Sequence, residues 1–365
     1  MAEIIIADTT RQYDGTHLET QPLGGTESSV IRLARELARR NHAVTVYTNC
    51  ERPVVDHGVA WRPIKGARPE SCDLYVACQH PRLLRFVQKP KRRAIWVLWQ
   101  PNHLKHYKQI GRVWWYRPVP VLQSLHQVHI WSPVLPRRDP QILIPLGLPD
   151  DVRGHAPLDA PPPRRAIFAS NPQRNLRQLV EIWAERVLPR VPDAVLDVYG
   201  VHQMGPDEDA WAAWAGTLLP ANQPDHVRAS VRIHPTTTRE GLIEAMRGSR
   251  VLVYLGHKVE AFCLAVAEAQ ALGVPSVVAP VAAVPERVLD RITGFHEADP
   301  ALFAERTVAL LTDDALWRRQ HEAALRHQQG ISWSEYAGRF EAALLADRFP
   351  IYRSVLEVPP PPAAE

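Results

Sequence analysis

The sequence predicts an α/β fold with two doubly wound parallel-sheet domains. The chain has 365 residues, enough for two domains of ordinary size, and 45% of them are hydrophobic, which supports two cores. Both halves contain a strand, a loop, a helix and a second strand in succession, the unit from which parallel sheets are built. We predict domains at 1–150 and 166–332, separated by a Pro-rich linker at 151–165.

The clearest of these successions lies at residues 251–278. Residues 251–255 are apolar and precede Gly256, which indicates a buried strand that opens into a loop. Residues 263–272 are nearly all good helix formers, and Gly273 stands where a left-handed C-cap would fall. Residues 274–278 resume a buried strand. The helix then points its unpaired N–H groups at the loop, where an anion can bind.

Two acidic residues flank this predicted anion site. Glu260 lies in the loop, and Glu268 lies eight positions later, about 7 Å along the helix at a rise of ~1.5 Å per residue. A carboxylate only accepts hydrogen bonds, so it suits a hydroxyl-rich ligand such as a ribose or a hexose attached to the phosphate. The pattern predicts a nucleotide diphosphate sugar, and the ordinary alternative is a pair of solvated acids.

The segment Glu260-Ala-Phe-Cys-Leu through Glu268-Ala-Gln-Ala-Leu-Gly-Val-Pro, followed by Val284-Pro-Glu, resembles the donor-site motif of family 4 retaining glycosyltransferases. The resemblance implies the GT-B architecture, in which two Rossmann-like domains face a cleft. It also implies that Glu260 contacts the donor sugar and that Glu268 binds the ribose hydroxyls. The backbone amides after Phe262, those of Cys263 and Leu264, would cover the diphosphate.

The sequence departs from the family at three places in this half. Ala282 and Ala283 stand where two glycines are usual. We therefore expect that the backbone there does not adopt the positive-φ conformations that glycine allows. Arg174 inherits the role of the basic residue that clamps the donor phosphates, but Asn175 replaces the glycine after it. The family's partner arginine falls on Ser170 or Asn171, which predicts a clamp with one cation fewer. After a strand at 231–234, Arg232 and His234 are candidates to read the base.

The first half contains a second unit of this kind, with strands at 3–7 and 43–48 and a helix at 26–41. The loop between them, 8–25, is too long for a dinucleotide fingerprint, which disfavours nicotinamide binding. It ends in Gly24 and Gly25, which in the family let backbone approach the donor diphosphate or the acceptor. Thr26 is predicted to cap the helix. The helix arginines, Arg35 among them, are expected to lie largely off its apolar stripe.

Two histidines follow further strands of the first half. Strands at 73–78 and 93–99 precede His80 and His103, and both strand ends are expected to line the cleft. The family often places a catalytic histidine near the second strand end, but this chain has Trp99 and Gln100 there. His80 and His103 are therefore candidates by position only, against the ordinary alternative of solvated loop residues.

The first half is basic. Residues 1–150 contain 21 Lys and Arg against 12 Asp and Glu, and no acid lies between Asp73 and Asp139. This predicts an anionic partner. The stretch 103–117 mixes Lys and Arg with Trp and Tyr, which suits an anionic membrane surface, a phosphorylated acceptor or single-stranded nucleic acid. The alternative is that its tryptophans belong to the core.

Composition excludes several classes of protein. The chain has no run of 18 apolar residues and no basic segment before an apolar N-terminal stretch, so we expect a cytoplasmic protein, at most peripheral to the membrane. The four cysteines lack C-x-x-C spacing and are expected to be reduced core residues. The acids Asp207 to Asp209 are interpreted as solvated, without a metal.

The C-terminal part of the chain is predicted to contain a helix at 333–350 that crosses back to the first domain. The tail at 351–365 is predicted to be disordered.

Together these features predict a metal-independent glycosyltransferase without a cofactor, and the resemblance alone implies that it is a retaining enzyme. It would move a sugar from a UDP- or GDP-sugar onto a glycan or lipid-linked acceptor of cell-surface polysaccharide or lipopolysaccharide synthesis. The predicted catalytic residues are Glu260, Arg174, His103 and His80. A module that binds polyanions or nucleic acid, and a soluble enzyme that acts on a sugar phosphate, remain as alternatives.

Overall fold

The computed structural model describes residues 1–21, 23–136, 142–200, 208–219, 223–235 and 237–346. They form two compact units. One comprises Met1–Gly147 and the described residues from Ile331 onward, and the other comprises Leu148–Gly330. The predicted linker, 151–165, lies inside the second unit. The predicted tail, 351–365, the end of the predicted C-terminal helix, 347–350, and Asp207 lie outside the described residues.

The first unit is built on an eight-stranded sheet. Its strands are β1 (Glu3–Ala7), β2 (Ala43–Thr48), β3 (Val54–Asp56), β4 (Val59–Pro63), β5 (Ser71–Cys78), β6 (Lys89–Trp96), β7 (Val119–Leu122) and β8 (Ile142–Leu143). They are ordered β3-β4-β2-β1-β5-β6-β7-β8, and all neighbours are parallel except β3 and β4. The helices of this unit are α1 (His17–Thr20), α2 (Gly25–Arg39), α3 (Tyr107–Tyr116), α4 (Leu125–His129) and α12 (Trp333–Leu345).

The second unit is built on a six-stranded parallel sheet. Its strands are β10 (Arg165–Ala169), β11 (Val195–Tyr199), β12 (Val231–Ile233), β13 (Val251–Tyr254), β14 (Ser276–Val278) and β15 (Gly294–His296), ordered β12-β11-β10-β13-β14-β15. Its helices are α5 (Leu176–Ile182), α6 (Glu208–Leu218), α7 (Asp225–Ser230), α8 (Arg239–Arg247), α9 (Leu264–Ala271), α10 (Pro300–Thr312) and α11 (Asp314–His327). Short strands β9 (Gly147–Leu148) and β16 (Ile331–Ser332) lie where the chain passes between units.

Both sheets are doubly wound. In each, the first strand lies in the middle, the next ones are added on one side, and the chain then returns to build the other side. This is the Rossmann order, in which the loops after the two central strands run to opposite faces of the sheet and leave a crevice for a ligand. The central strands are β1 and β5 in the first unit, and β10 and β13 in the second. The prediction of two doubly wound parallel-sheet domains is confirmed.

The helix α2 departs from its predicted environment at one position. Val30, Leu33, Ala34 and Leu37 are buried as predicted, but Arg35 is buried with them. Its guanidinium donates to Oδ2 of Asp56 from Nε and Nη2, at 3.0 and 2.8 Å, and to the carbonyl of Gly15 at 2.9 Å. Arg35 still lies off the apolar stripe, about 140° around the helix from Val30 at 3.6 residues per turn. It is buried there because a guanidinium can be buried when carboxylate and carbonyl partners satisfy it.

The C-terminal helix α12 completes the core of the first unit. Tyr336, Phe340, Ala343 and Leu344 are buried as predicted. The rings of Tyr336 and Phe340 lie 5.9 and 6.2 Å from the ring of Trp96, on β6. The helix also packs against α2 and β5. None of the helices within the described residues is long and apolar enough to span a membrane.

Candidate functional site

The loop between β13 and α9 is the centre of the candidate site. All four residues of β13 are buried, and Gly256 leaves the strand at φ +66°, a conformation that favours glycine. Cys263 precedes α9 with φ +70°, and its thiol is buried, which raises its pKa. The predicted helix and its C-cap are confirmed, since α9 ends at Ala271 and Gly273 has φ +78°. The first amides of α9 therefore directly follow the loop that carries Glu260.

Tyr254 and Arg174 hold the carboxylate of Glu260. The Tyr254 hydroxyl, at the end of β13, donates a hydrogen bond of 2.6 Å to Oε1 of Glu260. Nε of Arg174 lies 3.4 Å from the same oxygen. Glu260 and Tyr254 are buried, whereas Arg174 is partly exposed. Burial, together with the neighbouring carboxylate, raises the pKa of Tyr254 well above its ordinary value, so the phenol remains a hydrogen-bond donor.

Arg174 reaches Glu260 because their loops follow the two central strands of the sheet, β10 and β13. Asn175 ties the loops together, since its Nδ2 donates to the carbonyl of Gly256 at 2.7 Å. Asn175 has φ +63°, a conformation that Asn tolerates better than most side chains, so it serves where the family has glycine. Ser170 and Asn171 are the two positions on which the family's partner arginine would fall, and Oγ of Ser170 lies 3.4 Å from the Tyr254 hydroxyl.

Of the two alanines after β14, Ala282 adopts a left-handed backbone conformation of the kind that glycine usually adopts. Ala282 has φ +53°, in the left-handed region, whereas Ala283 has φ −83°. The expectation from the sequence is therefore wrong at Ala282. An alanine can adopt this conformation at a cost of roughly 1–2 kcal/mol, which the surrounding fold supplies. The loop thus keeps a glycine-like backbone without glycine.

Glu268 is held by Arg239, the first residue of α8. Nη1 and Nη2 of Arg239 lie 2.8 and 3.1 Å from the two carboxylate oxygens of Glu268. The same guanidinium contacts Asp151, with Nε and Nη2 each 3.0 Å from a carboxylate oxygen. Burial alone would lower the pKa of Arg239, but Glu268 and Asp151 raise it above its ordinary value, so the guanidinium stays charged.

The candidates for the nucleotide base lie at the edge of the same sheet. Arg232 is exposed on β12. The ring of His234 stacks on Tyr199 with a centroid distance of 4.4 Å and an interplanar angle of 1°. Nε2 of His234 lies 2.6 Å from Oδ1 of the buried Asp197, which also accepts two bonds of 2.7 Å from Arg165. The His234 ring is therefore fixed in orientation.

The glycine pair of the first unit lies at the beginning of α2. Gly24 caps the helix in an extended conformation, and Gly25 is its first residue. The prediction that Thr26 caps the helix is wrong, because the helix begins one residue earlier and no side-chain cap bond forms. Oγ1 of Thr26 instead accepts a bond of 3.2 Å from Nε1 of Trp99. Glu27, in the first turn, is buried, and burial raises its pKa.

The two candidate histidines of the first unit have different environments. Nδ1 and Nε2 of His103 lie 2.7 and 2.8 Å from the backbone carbonyls of Gln100 and Gln79. Both ring nitrogens are thus engaged by backbone, which disfavours His103 as a proton-transfer group. The His80 ring contacts Trp99 edge-on at 5.7 Å. Burial, together with the neighbouring Arg82, lowers the pKa of His80, so its imidazole is neutral at pH 7.

The second unit brings five of the predicted residues to one loop cluster: Arg174, Glu260, Phe262, Cys263 and Leu264. Phe262 is buried in it under the guanidinium of Arg287, whose Cζ lies 4.3 Å from the ring centroid. The sequence reasoning missed Tyr254, Arg239 and Asp151. A tyrosine at the end of an otherwise aliphatic strand is a signal that could have identified Tyr254, whereas Arg239 and Asp151 are joined only by tertiary structure. Within the described ranges, no three His, Cys, Asp or Glu side chains form a metal-binding group.

The comparisons with known proteins agree with this architecture. Residues 164–313 match the family model described as glycosyl transferases group 1, a segment that contains the loops of Arg174 and Glu260. The fold is the GT-B architecture of the solved structures described below, and residues 164–313 form a domain of the glycosyl transferases group 1 type. The predicted GT-B architecture of two Rossmann-like domains is thereby confirmed, and the resemblance is confirmed at the level of this domain.

Individual relatives are similar over different extents. A D-inositol 3-phosphate glycosyltransferase of Streptomyces avermitilis is 36% identical over 124 residues, which are 32% of this chain and 26% of that protein. The chain thus spans about a quarter of the length of the curated relatives it matches. Sucrose-phosphate synthase from Thermosynechococcus elongatus has a TM-score of 0.70 at 14% identity, covering 98% of this chain and 100% of that one. Anabaena HepE in complex with UDP-glucose has a TM-score of 0.70 at 14% identity, covering 94% and 99%.

Proposed function

We propose that the protein is a retaining, metal-independent glycosyltransferase that uses a nucleotide diphosphate sugar as donor. The observation that carries this proposal is the cluster of Arg174, Tyr254 and Glu260 beside the first amides of α9, with Glu268 on the same helix. A cation, helix amides and two carboxylates match the phosphates, the sugar and the ribose of such a donor. The matched glycosyltransferase domain supports the assignment.

Transfer breaks the bond between the sugar and the diphosphate, so negative charge grows on the leaving group and positive charge on the sugar ring. Arg174 and the amides of Cys263 and Leu264 receive the growing negative charge in this proposal, and Glu260 faces the sugar. A helix terminus contributes only ~0.3–1 kcal/mol, up to ~2 when partly buried, whereas enzymes lower barriers by roughly 8–23 kcal/mol. Arg174 and the fixed orientation of the reactants must therefore supply most of the effect.

Further parts of the proposal rest on the resemblance. Retention of the anomeric configuration follows from the family's reaction, and positive charge from Arg174 and the helix amides allows the reaction to proceed without a metal. Arg232 and His234 would face the base. HepE, a structural relative, is described in complex with UDP-glucose, which favours a UDP-sugar as the first donor to test.

The acceptor is assigned to the first unit, near Gly24, Gly25 and His80. We propose a glycan or lipid-linked acceptor of cell-surface polysaccharide or lipopolysaccharide synthesis. The support is the exposed aromatic and basic surface of α3, where Tyr107, Trp114 and Trp115 have exposed fractions of 72, 47 and 82%. These tryptophans are not core residues, so that alternative is wrong, and the segment suits a peripheral contact with anionic lipid. Nucleic acid is a less favoured partner of this surface.

A second candidate acceptor is a phosphorylated polyol, on which a soluble enzyme would act. Several relatives are named D-inositol 3-phosphate glycosyltransferases, and the excess of Lys and Arg in the first half suits a phosphate. The two candidates differ in one requirement, because only the lipid-linked acceptor needs the α3 surface. A non-catalytic polyanion-binding module would differ from both, since it would release no nucleoside diphosphate.

The test is turnover of UDP- and GDP-sugars by the purified protein, followed as release of nucleoside diphosphate with glycan, lipid-linked and sugar-phosphate acceptors. Arg174→Ala and Glu260→Gln are each expected to lower kcat/KM by about 10²–10³-fold, the usual effect of removing one group that stabilises the transition state. Arg228→Met removes an exposed arginine paired with Asp225 and should retain full activity. Equal activity in all variants would refute the site, and NMR of the product anomer tests retention.

A further inference from the structure

Arg239 holds the carboxylate of Glu268 and is itself anchored by Asp151. This pair, distinct from the residues assigned to the donor phosphates, is here called the clamp. Arg239 uses four of its five N–H bonds in the two bidentate contacts described above, two to Glu268 and two to Asp151. Two bidentate contacts fix both the plane and the position of a guanidinium. The side chain of Glu268 has an exposed fraction of only 12%, so its carboxylate has few other orientations. The three residues come from three separate segments of the second unit.

The clamp leaves Glu268 able to bind a ligand. Each carboxylate oxygen can accept two hydrogen bonds, and Arg239 occupies one position on each oxygen. Among the described residues, only Arg239 donates to these two oxygens, so one further position remains on each, at a spacing that suits two neighbouring hydroxyl groups. A vicinal diol, such as the 2′ and 3′ hydroxyls of a ribose, can therefore bind while the ion pair remains intact.

Charge gives the clamp a second effect. Glu268 follows the first turn of α9, whose amides are assigned to the diphosphate, and an unpaired carboxylate there would repel that anion. Asp151, Arg239 and Glu268 together carry a net charge of −1, whereas Asp151 and Glu268 alone would carry −2. Because Arg239 neutralises one negative charge, the Glu268 carboxylate can accept hydrogen bonds from hydroxyl groups while it lies close to the phosphate site.

We infer that Arg239 is a positioning residue which, anchored by Asp151, sets the carboxylate of Glu268 to recognise the ribose diol of the donor nucleotide. The inference rests on the proposed function, since it names how that donor site selects ribose. It assigns roles to Arg239 and Asp151, neither of which lies in the motif around Glu260. Arg239 itself contacts the ligand only through Glu268.

The experiment compares the affinities of UDP, GDP and ADP with those of their 2′,3′-dideoxy counterparts by calorimetry. The wild type is expected to prefer the ribose form of its nucleotide by roughly 10-fold or more, since hydrogen bonds to a charged group are involved. Arg239→Met should bind the two forms equally. Arg239→Lys keeps the charge but not the bidentate geometry, so it should retain part of the preference. Asp151→Asn weakens only the contact between Asp151 and Arg239, so it should lower the preference for ribose by a smaller factor than Arg239→Met does.

The control is Arg228→Met, which should keep the wild-type preference, and circular dichroism establishes that each variant is folded. The Lys and Asn variants test the inference even if Arg239→Met does not fold. An unchanged ribose preference in the Arg239 variants would overturn the inference and leave the proposed function intact. A wild type that binds nucleoside diphosphates without preferring ribose would also overturn it. Failure of the wild type to bind any of these nucleotides would overturn the proposed function, and the inference with it.

Discussion

Tyr254 illustrates how one hydroxyl can orient a carboxylate at the candidate site. Its phenol and Arg174 both approach Oε1 of Glu260, so the removal of the phenol oxygen leaves Glu260 with one partner fewer. We expect Tyr254→Phe to lower kcat/KM by about 10- to 100-fold, because a hydrogen bond to a charged group contributes ~1.5–3 kcal/mol. The measurement is steady-state turnover of the donor sugar.

Tyr75→Phe is the matched control for this change. Tyr75 is also buried and its hydroxyl also donates a hydrogen bond of 2.6 Å, but to the backbone carbonyl of Leu83 in the first unit. Its removal should lower the melting temperature and leave turnover per folded molecule unchanged. A loss of activity that is the same in both variants would contradict a specific role for Tyr254.

Ala282 and Ala283 provide a second prediction at the level of single residues. Ala282→Gly should raise the free energy of unfolding by about 1 kcal/mol, because glycine removes the strain of a left-handed alanine. Ala283→Gly should lower it by a similar amount, since Ala283 has ordinary φ and is fully buried. Chemical denaturation of both variants checks the opposite signs. A stability loss in both would show that Ala282 is not strained.

At the level of elements, α9 and α11 are joined through His321. Nδ1 of His321 lies 2.6 Å from the carbonyl of Gly273, and Nε2 accepts a bond of 2.9 Å from the amide of Leu158. Nε2 can accept only when it carries no proton, so the folded protein requires a neutral ring with its hydrogen on Nδ1. Burial, reinforced by Arg247, lowers the pKa of His321 below its ordinary value.

The depressed pKa predicts a pH dependence of stability. As pH falls below about 6.5, the histidine of the unfolded chain takes up a proton before that of the folded chain, so the unfolded state is favoured. We expect the contribution of His321 to be fully present above pH 7 and to be lost progressively below pH 6.5. Denaturation of the wild type and of His321→Gln between pH 5.5 and 7.5 measures this effect. Equal slopes for the two proteins would refute it.

Sequence reasoning succeeded where an element is specified by its own residues. The unit from β13 to β14 was placed to within a residue or two because apolar runs, helix formers and Gly273 agree locally. It did not indicate the burial of Arg35 or the role of Arg239, because the carboxylates that neutralise these side chains come from distant segments. The hydroxyl of Thr26 predicts a cap at that residue, whereas Gly24 occupies the cap of α2 without a side-chain bond.

At the scale of the whole molecule, the basic first half and the α3 surface predict an association with anionic lipid. Trp114→Ala combined with Trp115→Ala should reduce sedimentation with phosphatidylglycerol–phosphatidylcholine vesicles several-fold, because exposed aromatic side chains insert at the interface. Salt at about 0.5 M should weaken the binding of the wild type by screening. Leu302→Ala, an exposed apolar residue of the second unit, is the control. Binding that does not depend on the two tryptophans would contradict this role.

The position of α12 also has a consequence for biosynthesis. The rings that cover Trp96 belong to Tyr336 and Phe340, which the ribosome adds only after the whole of the second unit. A nascent chain that has reached residue 147 therefore exposes Trp96 until α12 has been synthesised. We expect a fragment that ends there to aggregate or recruit chaperones, and a separately added peptide carrying α12 to rescue it.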